Sequence, residues 1–161
     1  MKNVSIILLL LFSCVTFSEC KKYPEDDVWI QCKRPEKRLI KYGPWKFEKL
    51  TVDGVDKSSE FRADSAYFDR IEFEEQDEFS TDITVDRMIG SEIGSYSFEE
   101  NRSKIRFTMI PGPFNVDFHN YGPIFKTTAI DWEILKLSKK GVVLKTNYIS
   151  SEYVLELKPV N

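Results

Sequence analysis

Histidine is nearly absent: His119 is the only one in 161 residues, and there are three cysteines, Cys14, Cys20 and Cys32. No two cysteines stand in a Cys-x-x-Cys pair, so a zinc site of ordinary composition has too few ligands. Basic stripes are missing as well. Formal net charge is −3, and lysines and arginines are dispersed among acids, which argues against nucleic acid as the partner. There is no stretch of about 20 apolar residues and hence no spanning helix. No 3.6-residue apolar period runs long enough for a crossover helix. Gly-x-Ser-x-Gly and the Asp-x-Asp-x-Asp-Gly spacing of a calcium loop do not occur. These absences remove the common hydrolase, metalloenzyme and calcium-binding readings, and no cofactor is expected.

Aromatic residues, by contrast, are plentiful. They make up 14% of the chain, with 12 Phe, against 30% charged residues. Such a chain is globular, and aromatics favour pleated, half-buried surfaces. Its length suits one domain.

The one apolar run, Val4 to Val15, follows Met1-Lys2-Asn3 and is followed at once by polar sequence. That is the layout of a cleavable leader, residues 1–19. Cys20 then precedes Lys21-Lys22-Tyr23-Pro24-Glu25-Asp26-Asp27. A cysteine closing an apolar leader before a polar tether resembles the lipobox of bacterial lipoproteins, where the thiol is acylated. Each buried methylene contributes about 0.8 kcal/mol, and two or more chains hold a protein at a membrane. Phe17-Ser18-Glu19 places Glu before the cut, whereas Leu11-Phe12-Ser13-Cys14 places a small residue there. Cys14 is therefore the competing attachment site. If Cys14 carries the lipid, Cys20 and Cys32 are free to pair in an oxidising compartment; otherwise Cys32 is a lone thiol. Residues 20–36, charged and holding Pro24 and Pro35, read as a flexible tether.

Residues 37–161 read as the folded domain. Lys37 to Tyr42 predicts a helical turn that Gly43-Pro44 ends. Trp45-Lys46-Phe47-Glu48 alternates, while Leu50 and Val52 take the other parity, which predicts a bulge near Lys49. Asp53-Gly54 signals a turn, and Ser58 or Ser59 is expected to cap a short helix through Phe61. Tyr67, Asp69, Ile71 and Phe73 share one parity. Phe79, Thr81, Ile83 and Val85 alternate, Arg87 to Gly94 reads as a loop, and Tyr96 and Phe98 follow. After a turn at Glu100 to Ser103 come Ile105, Phe107 and Met109. A long aromatic loop, Phe114 to Pro123, separates these from Ile130-Trp132-Ile134. Val142-Leu144-Thr146 and Tyr153-Leu155-Leu157 finish the chain. About eight short strands with regular turns predict an all-β, eight-stranded antiparallel up-and-down barrel.

Several blocks carry a resemblance. They are Cys20-Lys21-Lys22-Tyr23-Pro24-Glu25, Trp45-Lys46-Phe47-Glu48-Lys49, Val52-Asp53-Gly54-Val55-Asp56, Trp132-Glu133-Ile134-Leu135-Lys136-Leu137 and Glu152-Tyr153-Val154-Leu155-Glu156-Leu157. Together they resemble lipocalin-like lipoproteins of Gram-negative bacteria, which implies a calycin-type barrel. Gly43-Pro44-Trp45 resembles the Gly-x-Trp of the lipocalin first strand, which implies that the indole plugs the barrel floor. In that family an Arg near the end of the last strand packs on this Trp; Lys158 stands there instead.

Candidate chemistry is sparse. His119, in Asp117-Phe118-His119-Asn120-Tyr121, would need a nucleophile and an orienting acid around it to serve a hydrolase; with no nucleophile signature in the chain it reads as a solvated or locally bonded loop residue. Acids at Glu72-Glu74-Glu75-Asp77 and Glu99-Glu100 fall at strand faces and turns, where charges are solvated. Asn101-Arg102-Ser103 reads as a plain turn. The chain is therefore expected to bind rather than catalyse. The inward candidates are Trp45, Phe47, Ile71, Phe73, Phe79 and Phe107, with Phe114 and Phe118 at the entrance. One expectation is a lipid-anchored cell-envelope protein holding a small apolar ligand in the barrel. The alternative is a solid barrel that docks an envelope protein or glycan through loop aromatics.

Overall fold

The computed structural model describes residues 35–63, 66–75, 77–85, 88–110 and 128–160. The leader, all three cysteines, Phe114, Phe118 and His119 lie outside the described residues.

Nine strands form one antiparallel sheet: β1 (Trp45–Val52), β2 (Val55–Asp56), β3 (Ala66–Phe73), β4 (Glu78–Val85), β5 (Met88–Glu99), β6 (Lys104–Met109), β7 (Ile130–Ser138), β8 (Gly141–Tyr148) and β9 (Ser151–Pro159). Each strand from β3 onward pairs with the next in sequence, and β1 pairs with β9 from Trp45↔Pro159 to Val52↔Tyr153. That pairing closes an eight-stranded barrel. β2 is a two-residue ribbon folded back on the end of β1. Two helices stand among the described residues: α1 (Pro35–Tyr42) precedes β1, and α2 (Ser58–Ala63) lies between β2 and β3. α1 begins two residues earlier than the Lys37 start expected from sequence, and Pro35 is buried. Proline suits a first helical turn, where its missing N–H costs nothing.

Closure requires tilt and strong twist, and bulges supply them. The register shifts between Phe47 and Lys49, where the parity of the sequence changes. It shifts again between Phe68 and Arg70 and between Ile134 and Lys136. The second shift corrects the expected parity of β3. The bulge at Asp69 brings Phe68 to the same buried side as Ile71 and Phe73, while Asp69 is exposed.

The stretch expected as a loop from Arg87 to Gly94 is instead the first half of β5, which begins at Met88 and pairs with β4 from Val85↔Met88 to Glu78↔Ser95. Its glycines read as loop residues, yet Gly94 has a packing role. A Cβ there would stand 2.3 Å from Phe79 Cζ and 2.8 Å from the Thr108 carbonyl oxygen. The Phe79 ring lies directly over the Gly94 backbone, a close approach only glycine allows.

The floor of the barrel is built by α1. The Trp45 indole is fully buried, and its Nε1–H donates to the Leu39 carbonyl at 2.9 Å. The Gly43 N–H donates to the same oxygen at 3.1 Å. A Cβ on Gly43 would lie 3.0 Å from both Trp45 Nε1 and that oxygen, which explains glycine two places before the tryptophan. Arg38, also buried, donates from Nη1 to the Leu137 carbonyl at 3.0 Å and ties α1 to β7. The last strand's Lys158 stays outside, paired with Glu48.

Replacing Gly94 with Ala should cost about 1–3 kcal/mol of unfolding free energy, the usual range for overpacking. Urea denaturation measures it. Adding Phe79→Leu should recover part of the loss, because the pair shares one contact; strictly additive effects would show that the Phe79 ring does not rest on Gly94.

Candidate functional site

Among the described residues, the place where this architecture gathers aromatic side chains is the barrel interior. β6 shows why: its exposure alternates, with Ile105, Phe107 and Met109 buried and Lys104, Arg106 and Thr108 partly exposed. The period of two turns every second side chain inward. β8 follows the same rule through Val142, Leu144 and Thr146.

The inward aromatics form two groups. Phe73, Phe79, Tyr96 and Phe107 come from four successive strands. Phe73 stands 5.1 Å from Tyr96 at 89°, and Phe79 stands 5.5 Å from Phe107 at 79°, both edge-to-face. Phe73 also lies 6.0 Å from Phe107 and 6.2 Å from Phe79. The second group is Phe47 of β1, Phe68 of β3 and Phe61 of α2, with centroids 4.7 Å (Phe47–Phe61), 5.5 Å (Phe47–Phe68) and 5.6 Å (Phe61–Phe68) apart. Offset and edge-on geometries of this kind stabilise each pair by about 0.5–1.5 kcal/mol beyond burial.

All six described candidates from the sequence, Trp45, Phe47, Ile71, Phe73, Phe79 and Phe107, are at most 4% exposed. The structure brings Phe73, Phe79 and Phe107 together, assigns Phe47 to the second group and puts Trp45 on the floor. As they stand, these side chains pack on one another. Sequence reasoning did not pick out Tyr96, Trp132, Phe61 or Phe68. Trp132 was legible from the alternation of β7. Phe61 and Phe68 were not: the first sits in a six-residue helix, the second is carried inward by a bulge.

Among the described residues, buried polar side chains are few. Thr146 Oγ1 donates to the Asp131 carbonyl at 2.8 Å. The Tyr96 hydroxyl donates to the Glu74 carbonyl at 3.2 Å. Burial, with Asp77 and Glu36 adding negative charge nearby, pushes the Tyr96 phenol up to about 12. Arg38 is the buried charge among the described residues, and most of the others lie outside. Glu72, Glu74, Glu75, Asp77 and Glu100 are exposed, and Arg106 forms a bidentate pair with Asp131 on the outer wall. The Arg106 hydrogen bonds hold the Asp131 carboxyl below the usual range. Among the described residues, no group of three His, Cys, Asp or Glu is placed to hold a metal.

The wall itself is incomplete at one place. Among the described residues, β1 pairs with β3 only at Trp45↔Ile71 and Lys46↔Arg70. Beyond that point α2 fills the gap. Ser58 Oγ accepts the Leu50 N–H at 3.0 Å, and the Lys57 N–H donates to the Leu50 carbonyl at 2.8 Å. Arg62 Nη2 donates to the Phe47 and Glu48 carbonyls, each at 3.3 Å, and the guanidinium lies 5.1 Å from the Phe47 ring centroid. The expected serine cap is corrected by this arrangement. Ser58 Oγ is turned to β1 and to Asp56, and the Asp56 carboxylate takes the Ser58 N–H at 2.9 Å.

No protein-family model matches the sequence, and no curated protein sequence matches it significantly. Among solved structures, the fold is similar to the crystal structure of a lipocalin-like protein from Bacteroides uniformis. The TM-score is 0.52 at 16% identity, over 76% of this chain and 99% of that one. The fold is lipocalin-like. Trp45 stands in that barrel as a buried indole at the start of the first strand, bonded to the Leu39 carbonyl of α1.

Deprotonating Tyr96 inside the lipocalin-like barrel is costly. Its folded pKa lies above the unfolded value of 10.0, so its contribution is complete below pH 10 and is lost as pH rises towards 12. Stability should fall by on the order of 2 kcal/mol over that window. Tyr96→Phe should flatten the fall, measured as urea midpoints from pH 9 to 12. Equal slopes in both proteins would show that the phenol is not buried.

Proposed function

We propose that this chain is a lipid-anchored cell-envelope protein that takes a small apolar molecule into its barrel, without catalysis. The interior supports an apolar occupant, because its lining is aromatic and aliphatic and the Tyr96 and Thr146 hydroxyls are already bonded to backbone carbonyls. An ion or sugar placed there would lose hydration without replacement partners. The alternative, a barrel that docks protein or glycan through its outer face, calls for an exposed apolar patch. The exposed large apolar residues described are Val55, Ile93, Ile110, Ile149 and Val160, most of them scattered over turns and ends. Only Ile93 and Ile110 are neighbours, joined by a backbone bond of 3.0 Å.

The observation that carries the ligand reading is the unfinished wall between β1 and β3. A barrel serving purely as a block would gain by zipping that seam. Here it is closed by a helix that carries one large apolar side chain into the interior. A six-residue helix is too short to persist on its own in water. Burying Phe61 contributes about 1.5–3 kcal/mol, small beside the whole fold. Anchoring rests on the sequence: an apolar leader, Cys20 or Cys14, and a polar tether. Two acyl chains on either thiol keep the barrel at the membrane surface.

Mass spectrometry of the intact native protein tests both halves. The expected mass begins at Cys20, carries a diacylglyceryl group and an amide-linked acyl chain, and is accompanied under gentle ionisation by a bound apolar molecule. A start at Cys14 moves the anchor. An uncleaved, unmodified chain refutes anchoring, and a barrel that never carries a small molecule favours the docking alternative.

A further inference from the structure

Three features converge on the seam between β1 and β3. First, main-chain pairing between these strands stops at Lys46 and Arg70 among the described residues. Second, α2 is joined to β1 mostly by side chains: Ser58 to the Leu50 N–H, and an exposed Arg62 to two carbonyls at the long distance of 3.3 Å. Third, most of the rest of α2 faces water. Ser59, Glu60, Arg62 and Ala63 are exposed, Lys57 and Glu60 pair on the surface, and only Phe61 is fully buried. α2 therefore touches the core through a single ring. Among the described residues, releasing it breaks few main-chain bonds and leaves the run of pairings from β3 through β9 and the β1–β9 closure in place.

We propose that α2 is a displaceable stopper, and that the slot under Phe61, walled by Phe47 and Phe68, is where the barrel takes up its ligand. This rests on the ligand-binding reading above and adds the location, the route and the size class. The occupant is a slim apolar group no wider than the phenyl ring it replaces, an alkyl chain or one aromatic ring. It enters sideways through the wall. Its contacts are those Phe61 now makes, edge-on to Phe68 and tilted over Phe47. Arg62 acts as the latch: its guanidinium spans the Phe47 and Glu48 carbonyls and lies over the Phe47 ring. The hairpin turn at Asp53-Gly54, with both residues at positive φ, lies on the β1 side of α2, where Asp53 stays fixed to Glu152. The moving part is thus confined to residues after the turn.

Amide hydrogen exchange followed by NMR in the intact protein, with n-octanol as the probe, tests this. The amides of Leu50, Lys57 and Phe61 are expected to exchange at least tenfold faster than those of the β8–β9 ladder. Arg62→Ala, a surface change that should not disturb folding, is expected to speed those three by a further tenfold and leave β8–β9 unchanged. Octanol is expected to shift resonances of Phe47, Phe61 and Phe68 first, at a lower concentration in Arg62→Ala. If the three amides exchange together with β8–β9 in both proteins, α2 is a fixed part of the wall and the proposal is overturned. Octanol shifts confined to the Phe73, Phe79 and Phe107 group would overturn the seam as the site while leaving ligand binding standing. No octanol shift anywhere in the interior would sink the ligand reading itself.

Discussion

Pairing of β1 with β9 is the constraint from which the rest of this structure follows. Strands more than a hundred residues apart must meet in register, from Trp45↔Pro159 to Val52↔Tyr153. Once they do, every inward side chain faces others across a closed interior, and that space has to be filled. Among the described residues, six buried phenylalanines, Phe47, Phe61, Phe68, Phe73, Phe79 and Phe107, are the chief means. Bulges at Glu48, Asp69 and Leu135 give the twist that lets the strands close and still point Phe47, Phe68 and Leu137 inward. The wall cannot satisfy both neighbours of β1 along its whole length. Its pairing runs along β9, and beyond Lys46 the β3 side is finished by the β2 ribbon, the Lys57 main chain and side chains of α2.

Packing outweighs charge in holding this shape. The ion pairs, such as Lys57–Glu60, Lys104–Glu100 and Lys145–Glu152, lie on exposed or half-exposed surface, where each contributes about 0–1 kcal/mol. The buried rings contribute through area and through edge-on contact. The floor adds specificity: Leu39 offers one carbonyl to both Gly43 and Trp45, and Arg38 binds the Leu137 carbonyl. A helix preceding the barrel thus does the closing, while the last strand's Lys158 serves the outer surface.

The parts of the fold that were legible are those governed by nearest neighbours. The alternation in β6 to β9 named its own buried face, and the parity change between Phe47 and Leu50 announced a bulge. Gly43-Pro44-Trp45 marked the start of β1. What stayed hidden depends on contacts distant in sequence. Gly90 and Gly94 made β5 read as a loop, because nothing nearby shows that the Phe79 ring needs the Gly94 backbone beneath it. Asp69 gave no local hint of a bulge, so Phe68 was assigned to the wrong face. The six described interior candidates were read from periodicity and are buried. The seam was not foreseen, since a missing stretch of pairing leaves no trace in composition. A sign was present all the same: a lone Phe in Ser58-Ser59-Glu60-Phe61-Arg62, among residues that all prefer water.

The central claim is that β1 closes the barrel on the β9 side and leaves its β3 side to α2. Cross-strand nuclear Overhauser contacts in solution test it directly. Contacts between β1 and β9 are expected along the whole pair, including Lys49 with Glu156 and Leu50 with Leu155, and contacts between β1 and β3 are expected to end at Lys46 and Arg70. A continuous ladder of contacts between β1 and β3, or none between β1 and β9, would contradict it.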